Sequence, residues 1–389
     1  MNATPGRAAP RVLMIGWEFP PRYAGGLGVA CQGLVRGLLA LGAELVLLLP
    51  RRPGGVPAAG LAAAAGRLRL IPMRTKLEPY GRGTGLYGDD LWDEVSRLAA
   101  VARVVAREER CDVIHVHDWM TYPAGLAASD ASGRPLLAHV HATEFSRSGG
   151  GPGNAAIEDL ERQALRRAAR VLCVSRFTAS VVRRRYNVAA ERIRVVHNAI
   201  DGASAVPARR PPSGRPVVLF AGRLTRQKGP SRFLEAARLV RQSRPETVFV
   251  MAGDGDRRPW LEERAEELGL ADVVAFPGFL PAAALRSLYA QASVYVLPSV
   301  AEPFGLTVLE ALGQGAPTIV SRQAGVGEVV RSVIRVDASD PEALAARILW
   351  LIDSPAVRRQ LSSLGRAEVA RMSWEQPAAR CLEVYRELA

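Results

Sequence analysis

The stretch that decides the fold of this chain is PSVAEPFGLTVLE, which occupies residues 298–310. It follows a short apolar run, Val294–Leu297, which ends at a proline and therefore predicts a buried strand. Residues 306–312 then show the pattern of a helix. A strand, a loop and a helix in this order form the repeating unit of a parallel sheet covered by helices. The stretch therefore predicts an α/β fold.

Two carboxylates flank the predicted helix start. Glu302 lies in the loop, and Glu310 lies inside the helix, about two turns along at ~1.5 Å per residue. Backbone N–H groups near Gly305, Leu306 and Thr307 face outward there and favour an anion such as phosphate. Glu302 can accept hydrogen bonds from sugar hydroxyls, and Glu310 can accept them from a ribose. The alternative is an ordinary helix whose acidic first turn offsets its dipole.

A second segment favours the ligand-binding interpretation. Residues 217–222 predict another buried strand, and RLTRQKG follows at residues 223–229. The chain has only two lysines, Lys76 and Lys228, among 51 basic residues, so a lysine in this loop indicates a specific task. An ammonium group and a planar guanidinium such as that of Arg223 can together neutralise a diphosphate. Ligands of open parallel sheets bind beyond the carboxyl ends of the strands, where this loop lies. The alternative is a solvated basic loop.

Motifs spread over nearly the whole chain form a family pattern. They are EFPP at 18–21, GGLG at 25–28, HDW at 117–119, HVHATE at 139–144, VS at 174–175, NAID at 198–201, GRL at 222–224, QKG at 227–229 and the pair Glu302 and Glu310. With these motifs the chain resembles the glycogen and starch synthases of glycosyltransferase family 4. The resemblance implies the GT-B fold, in which two Rossmann-like parallel-sheet domains face each other across a cleft.

The resemblance also implies which residues act. In similar enzymes the first glutamate contacts the transferred sugar, the second contacts the ribose, the arginine and lysine hold the diphosphate, and the glycine-rich loop approaches the donor phosphates. An active-site histidine hydrogen-bonds the transferred sugar, and an aspartate lies at the cleft. The catalytic candidates are therefore His141, Asp118, Arg223, Lys228 and Glu302, and the donor-binding candidates are Gly25, Gly26, Phe304, Gly305, Leu306, Thr307 and Glu310.

The chain departs from the family pattern at two places. Glycogen synthases that use ADP-glucose typically carry a lysine two residues before the first glycine of the N-terminal loop, whereas this chain has Tyr23, with Arg22 beside it. The usual Asp-Gly and Gly turn after the last donor-site glutamate is missing around Glu328. A true glycogen synthase and the donor contacts near Glu328 therefore stay open.

The domain organisation follows from two sets of alternating apolar and helical segments. Seven strands are predicted between residues 12 and 196, and six between residues 217 and 336. We expect residues 1–203 to form an acceptor-side domain and residues 217–373 a nucleotide-sugar donor domain. Residues 204–216 are rich in proline and predict the linker. By resemblance, residues 374–389 are expected to be a helix that crosses back onto the first domain.

Composition limits the classes of protein that fit. With 389 residues and 48% hydrophobic content, the chain can fill two cores. The cysteines at positions 31, 111, 173 and 381 have no paired or metal-type spacing, which indicates a reducing cytoplasm. No apolar run approaches the ~20 residues of a membrane span, and no signal-type core precedes the first strand. We therefore expect a cytoplasmic protein.

The net charge of +13 raises the question of anionic partners. The arginines are spread along the chain without the aromatic and basic motifs of nucleic-acid binding, so no nucleic-acid partner is expected. Peripheral contact with an anionic membrane surface stays open. The sequence does not decide the oligomeric state.

The histidines offer a rival interpretation. His115 with His117, and His139 with His141, form His-x-His pairs on predicted strands, where alternate residues share a face and can hold a metal. A metal-dependent hydrolase would need further ligands, but the remaining histidine, His197, is followed by a turn. By resemblance, His115 and His139 are expected to be structural. The Asp-Gly-Asp sequence at 254–256 is explained by turn formation and capping, so no metal and no cofactor are expected.

The sequence thus predicts a retaining, metal-independent hexosyltransferase. It would move a hexose, in the first place glucose, from a nucleoside diphosphate sugar to a hydroxyl acceptor on a glucan or other glycan, a small molecule or a lipid. The alternatives are the metal-dependent hydrolase and a catalytically silent sugar-nucleotide sensor of the same fold. The donor base, the hexose and the acceptor stay undecided.

Overall fold

The computed structural model describes residues 10–20, 25–50, 66–73, 90–201 and 214–389. Arg22, Tyr23 and nearly all of the predicted linker lie outside these residues. The chain folds into two compact units. Residues 1–143, 154–199 and 373–389 form the first unit, and residues 144–153 and 200–372 form the second. The domain ranges expected from the sequence stay a prediction.

The first unit contains a seven-stranded sheet in which every pairing is parallel. Its strands are β1 (Arg11–Ile15), β2 (Glu44–Leu49), β3 (Leu68–Pro72), β4 (Val113–His117), β5 (Leu136–Val140), β6 (Arg170–Cys173) and β7 (Ile193–Val195). Their order is β3-β2-β1-β4-β5-β6-β7. The direction of winding therefore changes between β1 and β4, where open parallel sheets place their ligands.

The second unit contains a six-stranded parallel sheet. Its strands are β8 (Val217–Ala221), β9 (Val248–Ala252), β10 (Val274–Gly278), β11 (Val294–Leu297), β12 (Thr318–Ser321) and β13 (Val333–Val336). Their order is β10-β9-β8-β11-β12-β13, so the winding changes between β8 and β11. This sheet packs its Val, Leu, Ile and Phe side chains into one apolar core with the covering helices.

Helices cover both sheets. In the first unit they are α1 (Gly26–Ala40), α2 (Leu91–Glu108), α3 (Tyr122–Ser132), α5 (Ala155–Arg167), α6 (Arg176–Arg185) and α13 (Glu375–Leu388). In the second unit they are α4 (Glu144–Arg147), α7 (Pro230–Ser243), α8 (Arg258–Glu267), α9 (Ala282–Gln291), α10 (Leu306–Gln314), α11 (Pro341–Asp353) and α12 (Pro355–Val369). None of the helices in the described part of the chain combines the length and the apolar character needed to span a bilayer.

The predicted fold class is confirmed, since both sheets are parallel and wound with helices. All thirteen predicted strands are present, and their ends differ from the prediction by at most one residue. Strands buried on both faces need continuous runs of Val, Ile and Leu, which makes them easy to recognise in the sequence.

The last helix, α13, packs against α1 within the first unit. Trp374, which precedes α13, lies over two glycines of α1: a Cβ added at Gly33 would come within 2.1 Å of the Trp374 indole, and one added at Gly37 within 2.4 Å of its carbonyl oxygen. Backbone approach this close requires glycine at both positions. The C-terminal segment is therefore built into the first unit.

Candidate active site

The two loops singled out by the sequence follow neighbouring strands of the second sheet. Residues 222–229 follow β8, and residues 298–305 follow β11. Because β8 and β11 are paired in parallel, both loops leave the same edge of the sheet. This edge is the point where the winding of the sheet changes, and it is the usual ligand position in such sheets.

Backbone and side-chain hydrogen bonds fix these loops to each other. The Gln227 side-chain amide donates to the Ala301 carbonyl at 3.1 Å, and the Val300 N–H donates to the Gln227 carbonyl at 2.8 Å. At Gly229, with φ of +69°, an added Cβ would lie 2.2 Å from the Pro298 carbonyl oxygen. Only glycine fits there, and the close approach brings the Lys228 side chain to Glu302.

Lys228 and Glu302 form an ion pair. The ammonium nitrogen lies 2.7 Å from Oε2 of Glu302, and the Ser299 hydroxyl donates to the same oxygen at 2.9 Å. The side chain of Glu302 is 4% exposed, whereas that of Lys228 is 17% exposed. The lysine can therefore neutralise the buried carboxylate and still present further N–H groups outward, because an ammonium group has three donors.

Arg223 lies on a backbone segment held from two sides. The Leu224 N–H donates to the Asp254 carbonyl at 2.9 Å, and the Arg257 N–H donates to the Leu224 carbonyl at 3.1 Å. The guanidinium of Arg223 is half-buried and makes no hydrogen bond or ion pair with the residues that the structure describes. It is thus a positioned cation that is open to an anion.

The Asp-Gly-Asp sequence at 254–256 forms the predicted turn, but the predicted capping is wrong, because α8 begins after Arg257 and no described side chain caps it. The Asp254 carboxylate accepts from the Gly255 N–H at 2.8 Å and lies 3.7 Å from the Arg258 guanidinium. These contacts form the turn that precedes α8.

Helix α10 begins at Gly305, whose φ of +106° suits glycine. No side chain among the described residues caps this helix, so its first N–H groups are open to an anion. The preceding loop is held in place because the Phe304 carbonyl accepts from the Val326 N–H at 2.7 Å. The Tyr295 hydroxyl of β11 hydrogen-bonds the Thr307 hydroxyl at 2.9 Å, which holds the first turn of α10 against the sheet.

Glu310 lies on α10 with its carboxylate against the hydroxyl of Tyr289, which donates to it at 3.2 Å. Burial raises the pKa of Glu310 to about 7, and this rise is opposed by the Tyr289 hydrogen bond and the positive charge of Arg286. Glu310 therefore changes charge close to neutral pH.

In the first unit, the start of α1 lies after β1, next to the change of winding. Gly25 precedes the helix, and no described side chain caps it. A Cβ added at Gly26 would have no atom within 4 Å. This helix start is a second place where backbone N–H groups can receive an anion.

Asp118 follows β4 and has an unusual backbone conformation for a residue other than glycine, with φ of +60°. One oxygen of its carboxylate accepts from the backbone N–H groups of His141 at 2.7 Å and Ala142 at 3.2 Å. Asp118 therefore holds the loop after β5 and orients His141.

Among the described residues, the His141 ring makes one hydrogen-bond contact, with another histidine. Its Nε2 lies 3.0 Å from Nδ1 of His117. Burial lowers the pKa of His141 to about 3, so its imidazole is neutral at physiological pH. A hydrogen bond from His141 to a ligand must therefore come from Nδ1, or from Nε2 after the contact with His117 has opened.

The two His-x-His pairs come together because β4 and β5 are neighbours. His117 and His139 are directly opposite in the parallel register. The ring centres of His115 and His117 are 4.3 Å apart, and those of His139 and His141 are 4.4 Å apart. His115, His117 and His139 are buried.

Comparisons with known proteins agree with this geometry. A model of "Glycosyltransferase Family 4" matches residues 24–203, and a model of "Glycosyl transferases group 1" matches residues 205–368. A D-inositol 3-phosphate glycosyltransferase of Thermobispora bispora is 32% identical over 94% of this chain and 90% of its own. The chain belongs to glycosyltransferase family 4. A glycogen synthase of Mycobacterium tuberculosis is 28% identical to this family 4 chain, over 96% of it and 94% of its own length.

Solved structures show the same fold. The sucrose-phosphate synthase of Thermosynechococcus elongatus aligns with a TM-score of 0.79 and 23% identity, covering 97% of this chain and 99% of its own. The catalytic domain of starch synthase IV from Arabidopsis thaliana, bound to ADP and acarbose, aligns with a TM-score of 0.74 and 19% identity over 97% and 99%. The predicted GT-B family is confirmed, and the comparisons give the hydrolase alternative no support.

Three residues that support the candidate site of this family 4 chain were not predicted. Ser299 hydrogen-bonds Glu302, Tyr289 hydrogen-bonds Glu310, and Gln227 hydrogen-bonds the Ala301 carbonyl in the same loop as Glu302. Ser299 and Gln227 lie within the quoted motifs. Tyr289 lies in α9, where an aromatic residue in an apolar helix predicts only core packing.

Proposed function

We propose that this glycosyltransferase moves a hexose, in the first place glucose, from a nucleoside diphosphate donor to a hydroxyl acceptor with retention at the anomeric carbon. The observation that carries the proposal is the Lys228–Glu302 ion pair, which lies where the winding of the second sheet changes. At that edge, the structure holds a cation that can bind a diphosphate next to a carboxylate that can bind a sugar.

The diphosphate is the first group to be accounted for. It gains negative charge as the bond to the sugar breaks, so groups that bind it more tightly at that moment accelerate the reaction. Arg223, Lys228 and the open N–H groups at the start of α10 supply this stabilisation. Gly305, Leu306 and Thr307 form that helix start. A metal ion is not needed at the phosphates because these groups take its place.

The sugar is recognised by Glu302. Its Oε2 is occupied by Lys228 and Ser299, which leaves Oε1 to accept from a sugar hydroxyl. Lys228 is paired with this carboxylate while its remaining N–H groups contact the phosphate. The pair thus ties recognition of the sugar to recognition of the leaving group.

The ribose is recognised by Glu310, whose carboxylate accepts from its hydroxyls. Tyr289 orients this carboxylate from the opposite side. In the first unit, we propose that His141 hydrogen-bonds the transferred sugar, that Asp118 positions His141, and that Gly25 and Gly26 lie against the donor phosphates. The acceptor proton passes to a phosphate oxygen, since no predicted site residue suits a nucleophile on the opposite face of the sugar.

The acceptor class is supported only by the relatives. One relative is named as a glycogen synthase and another as a D-inositol 3-phosphate glycosyltransferase, so a glucan and a small phosphorylated alcohol are the acceptors to test first. A lipid acceptor at an anionic surface comes after these.

The proposal is tested by incubating the protein with ADP-, UDP- and GDP-hexoses and measuring the released nucleoside diphosphate, with and without these acceptors. Arg223→Ala should lower the release roughly 100-fold or more while leaving the fold intact, because its guanidinium makes no hydrogen bond or ion pair with a described residue. Arg371→Ala, at an exposed arginine of the same unit, is the matched control and should keep full activity.

Two results would contradict the proposal. Full activity of Arg223→Ala would show that the diphosphate lies elsewhere. Tight donor binding by the wild-type protein without nucleotide release under any condition would instead favour the sugar-nucleotide sensor. Product anomers measured by NMR decide between retention and inversion.

A further inference from the structure

A second cluster of titratable side chains lies in the first unit. Three of the four clustered histidines, His115, His117 and His139, are 0%, 0% and 2% exposed. Each offers one ring nitrogen to a set in which all three nitrogens lie within 4.8 Å of one another. We call these three residues the histidine triad.

Four of the six ring nitrogens of the triad lack hydrogen-bond partners among the described residues. They are Nε2 of His115, Nε2 of His117, and both Nδ1 and Nε2 of His139. A buried polar atom without a partner destabilises a protein, so such atoms are rare and each one needs an explanation. Four of them on three adjacent rings indicate that something with which they interact belongs between the rings.

The remaining nitrogens of two rings are held by neighbours. Nδ1 of His115 lies 2.7 Å from the hydroxyl of Tyr385 on α13, and Nδ1 of His117 lies 3.0 Å from Nε2 of His141. In metal sites, a ligating histidine commonly uses its second nitrogen in a hydrogen bond that fixes the ring orientation. His115 and His117 show this arrangement, with Nε2 left as the ligand atom of each.

We propose that His115, His117 and His139 bind a transition-metal ion, in the first place Zn²⁺, as a structural site inside the first unit. Imidazole ligands suit zinc, copper and nickel and are poor ligands for magnesium or calcium. Three nitrogens at ~2.0–2.1 Å from one tetrahedral ion lie roughly 3.3 Å apart. In the triad, one ring nitrogen of each residue already lies within 4.8 Å of the other two. The bound ion would tie β4 to β5 and, through Tyr385, to α13.

The ion has no part in the proposed transfer reaction, although its ligand His117 is hydrogen-bonded to His141, which is proposed to contact the transferred sugar. The role is structural because the three ligands are buried and come from the sheet itself. Loss of the ion should therefore lower the thermal stability of the protein.

The first experiment uses the wild-type chain. The protein is treated with a chelator, exchanged into metal-free buffer and titrated with Zn²⁺. The midpoint of thermal unfolding is followed during the titration, and the bound metal is counted by mass spectrometry. We expect one zinc per chain and a rise of several degrees in the unfolding midpoint. Co²⁺ should give the visible absorption of a tetrahedral site. No stoichiometric binding and no change in midpoint would overturn the proposal.

Variants locate the ion. His139→Asn should abolish both the zinc stoichiometry and the zinc-dependent rise in midpoint, whereas His197→Asn, at the histidine outside the cluster, should keep both. Unchanged zinc binding by His139→Asn would place the ion elsewhere and overturn the assignment.

A third variant covers the case in which His139→Asn fails to fold. His139→Phe removes two unpartnered nitrogens and keeps an aromatic ring. If the triad is a metal site, His139→Phe unfolds below zinc-loaded wild type and no longer responds to zinc. If the triad is only a packed cluster, the same variant unfolds above the wild type under all conditions, and the proposal is wrong.

Discussion

Buried titratable side chains lie in two regions: at the carboxyl ends of β8 and β11 in the second unit, and on the shared face of β4 and β5 in the first. The charge of these side chains is neutralised differently in the two regions. In the second unit, the charge of Glu302 is matched by Lys228 and a hydroxyl. In the first unit, the histidines lose their charge through burial, and several of their nitrogens remain without described partners.

This difference shows what each place can bind. The ion pair of the second unit is already complete, so a ligand there must share Lys228 rather than occupy an empty position. The histidine triad has unused lone pairs, so a ligand there adds interactions without displacing any. An anionic substrate suits the first situation, and a metal ion suits the second.

The largest effect is expected from breaking the ion pair. Lys228→Ala leaves the Glu302 carboxylate buried with only Ser299 beside it, which should destabilise the second unit by about 3 kcal/mol and abolish transfer. Denaturant unfolding measures the first effect and nucleotide release the second.

A double variant separates the two effects. Lys228→Met with Glu302→Gln removes both charges and should recover most of the stability without recovering activity. Recovery of activity in the double variant would show that the pair is structural only, and equal stability of Lys228→Ala and wild type would show that the pair does not form in solution.

A smaller effect is expected at Asp118, which belongs to the first unit. Asp118→Ala removes a carboxylate that accepts from two backbone N–H groups and should cost about 2 kcal/mol of unfolding free energy. Asp118→Asn keeps one acceptor oxygen and should lose less than half of that. If both variants were as stable as the wild type, the hydrogen bonds to His141 and Ala142 would not contribute to stability. The position of His141 would then depend on its ring contacts alone.

The smallest effect is a pH dependence of donor binding. Since the pKa of Glu310 is raised from 4.5 to about 7, its carboxylate ionises only as the pH rises through 7, and donor affinity should increase several-fold over that range. The stability of the fold depends on pH in the opposite direction. A raised folded-state pKa stabilises the fold fully below pH 4.5, and this contribution is lost as the pH rises through 7.

Tyr289→Phe tests the assignment of this pH dependence. It removes a hydrogen bond that favours the ionised form, so the midpoint of donor binding should move to higher pH. Glu310→Gln should make donor affinity independent of pH. Titration calorimetry measures this affinity between about pH 5 and 9, which is roughly two units on each side of the expected midpoint. A midpoint that Glu310→Gln leaves in place would belong to another group.

Much of the fold could be predicted from the sequence because its strands are buried on both faces. β11 was predicted with the ends that the structure gives it, since Val294–Leu297 is an unbroken apolar run closed by a proline, and the run predicted at 217–222 differs from β8 by one residue. Residues 306–312 were predicted to be helical, and α10 continues to Gln314.

The contacts of the candidate site could be predicted only in part. Lys228 and Glu302 were each predicted to be functional, but their ion pair joins residues 74 positions apart and depends on the order of β8 and β11 in the sheet. The histidines were predicted to pair within each strand. Their union into one cluster required β4 and β5 to be neighbours, and the contact of His115 with Tyr385 spans 270 residues. No local pattern carries such information.

The packing of α13 has a consequence for the order in which the polypeptide can fold as it leaves the ribosome. Every residue of the second unit is synthesised before Ser373, whereas the first unit receives Trp374 and Tyr385 after that point. The first unit is therefore completed after the second. Until then, Gly33 and Gly37 of α1 lack the indole and carbonyl group against which they are fitted.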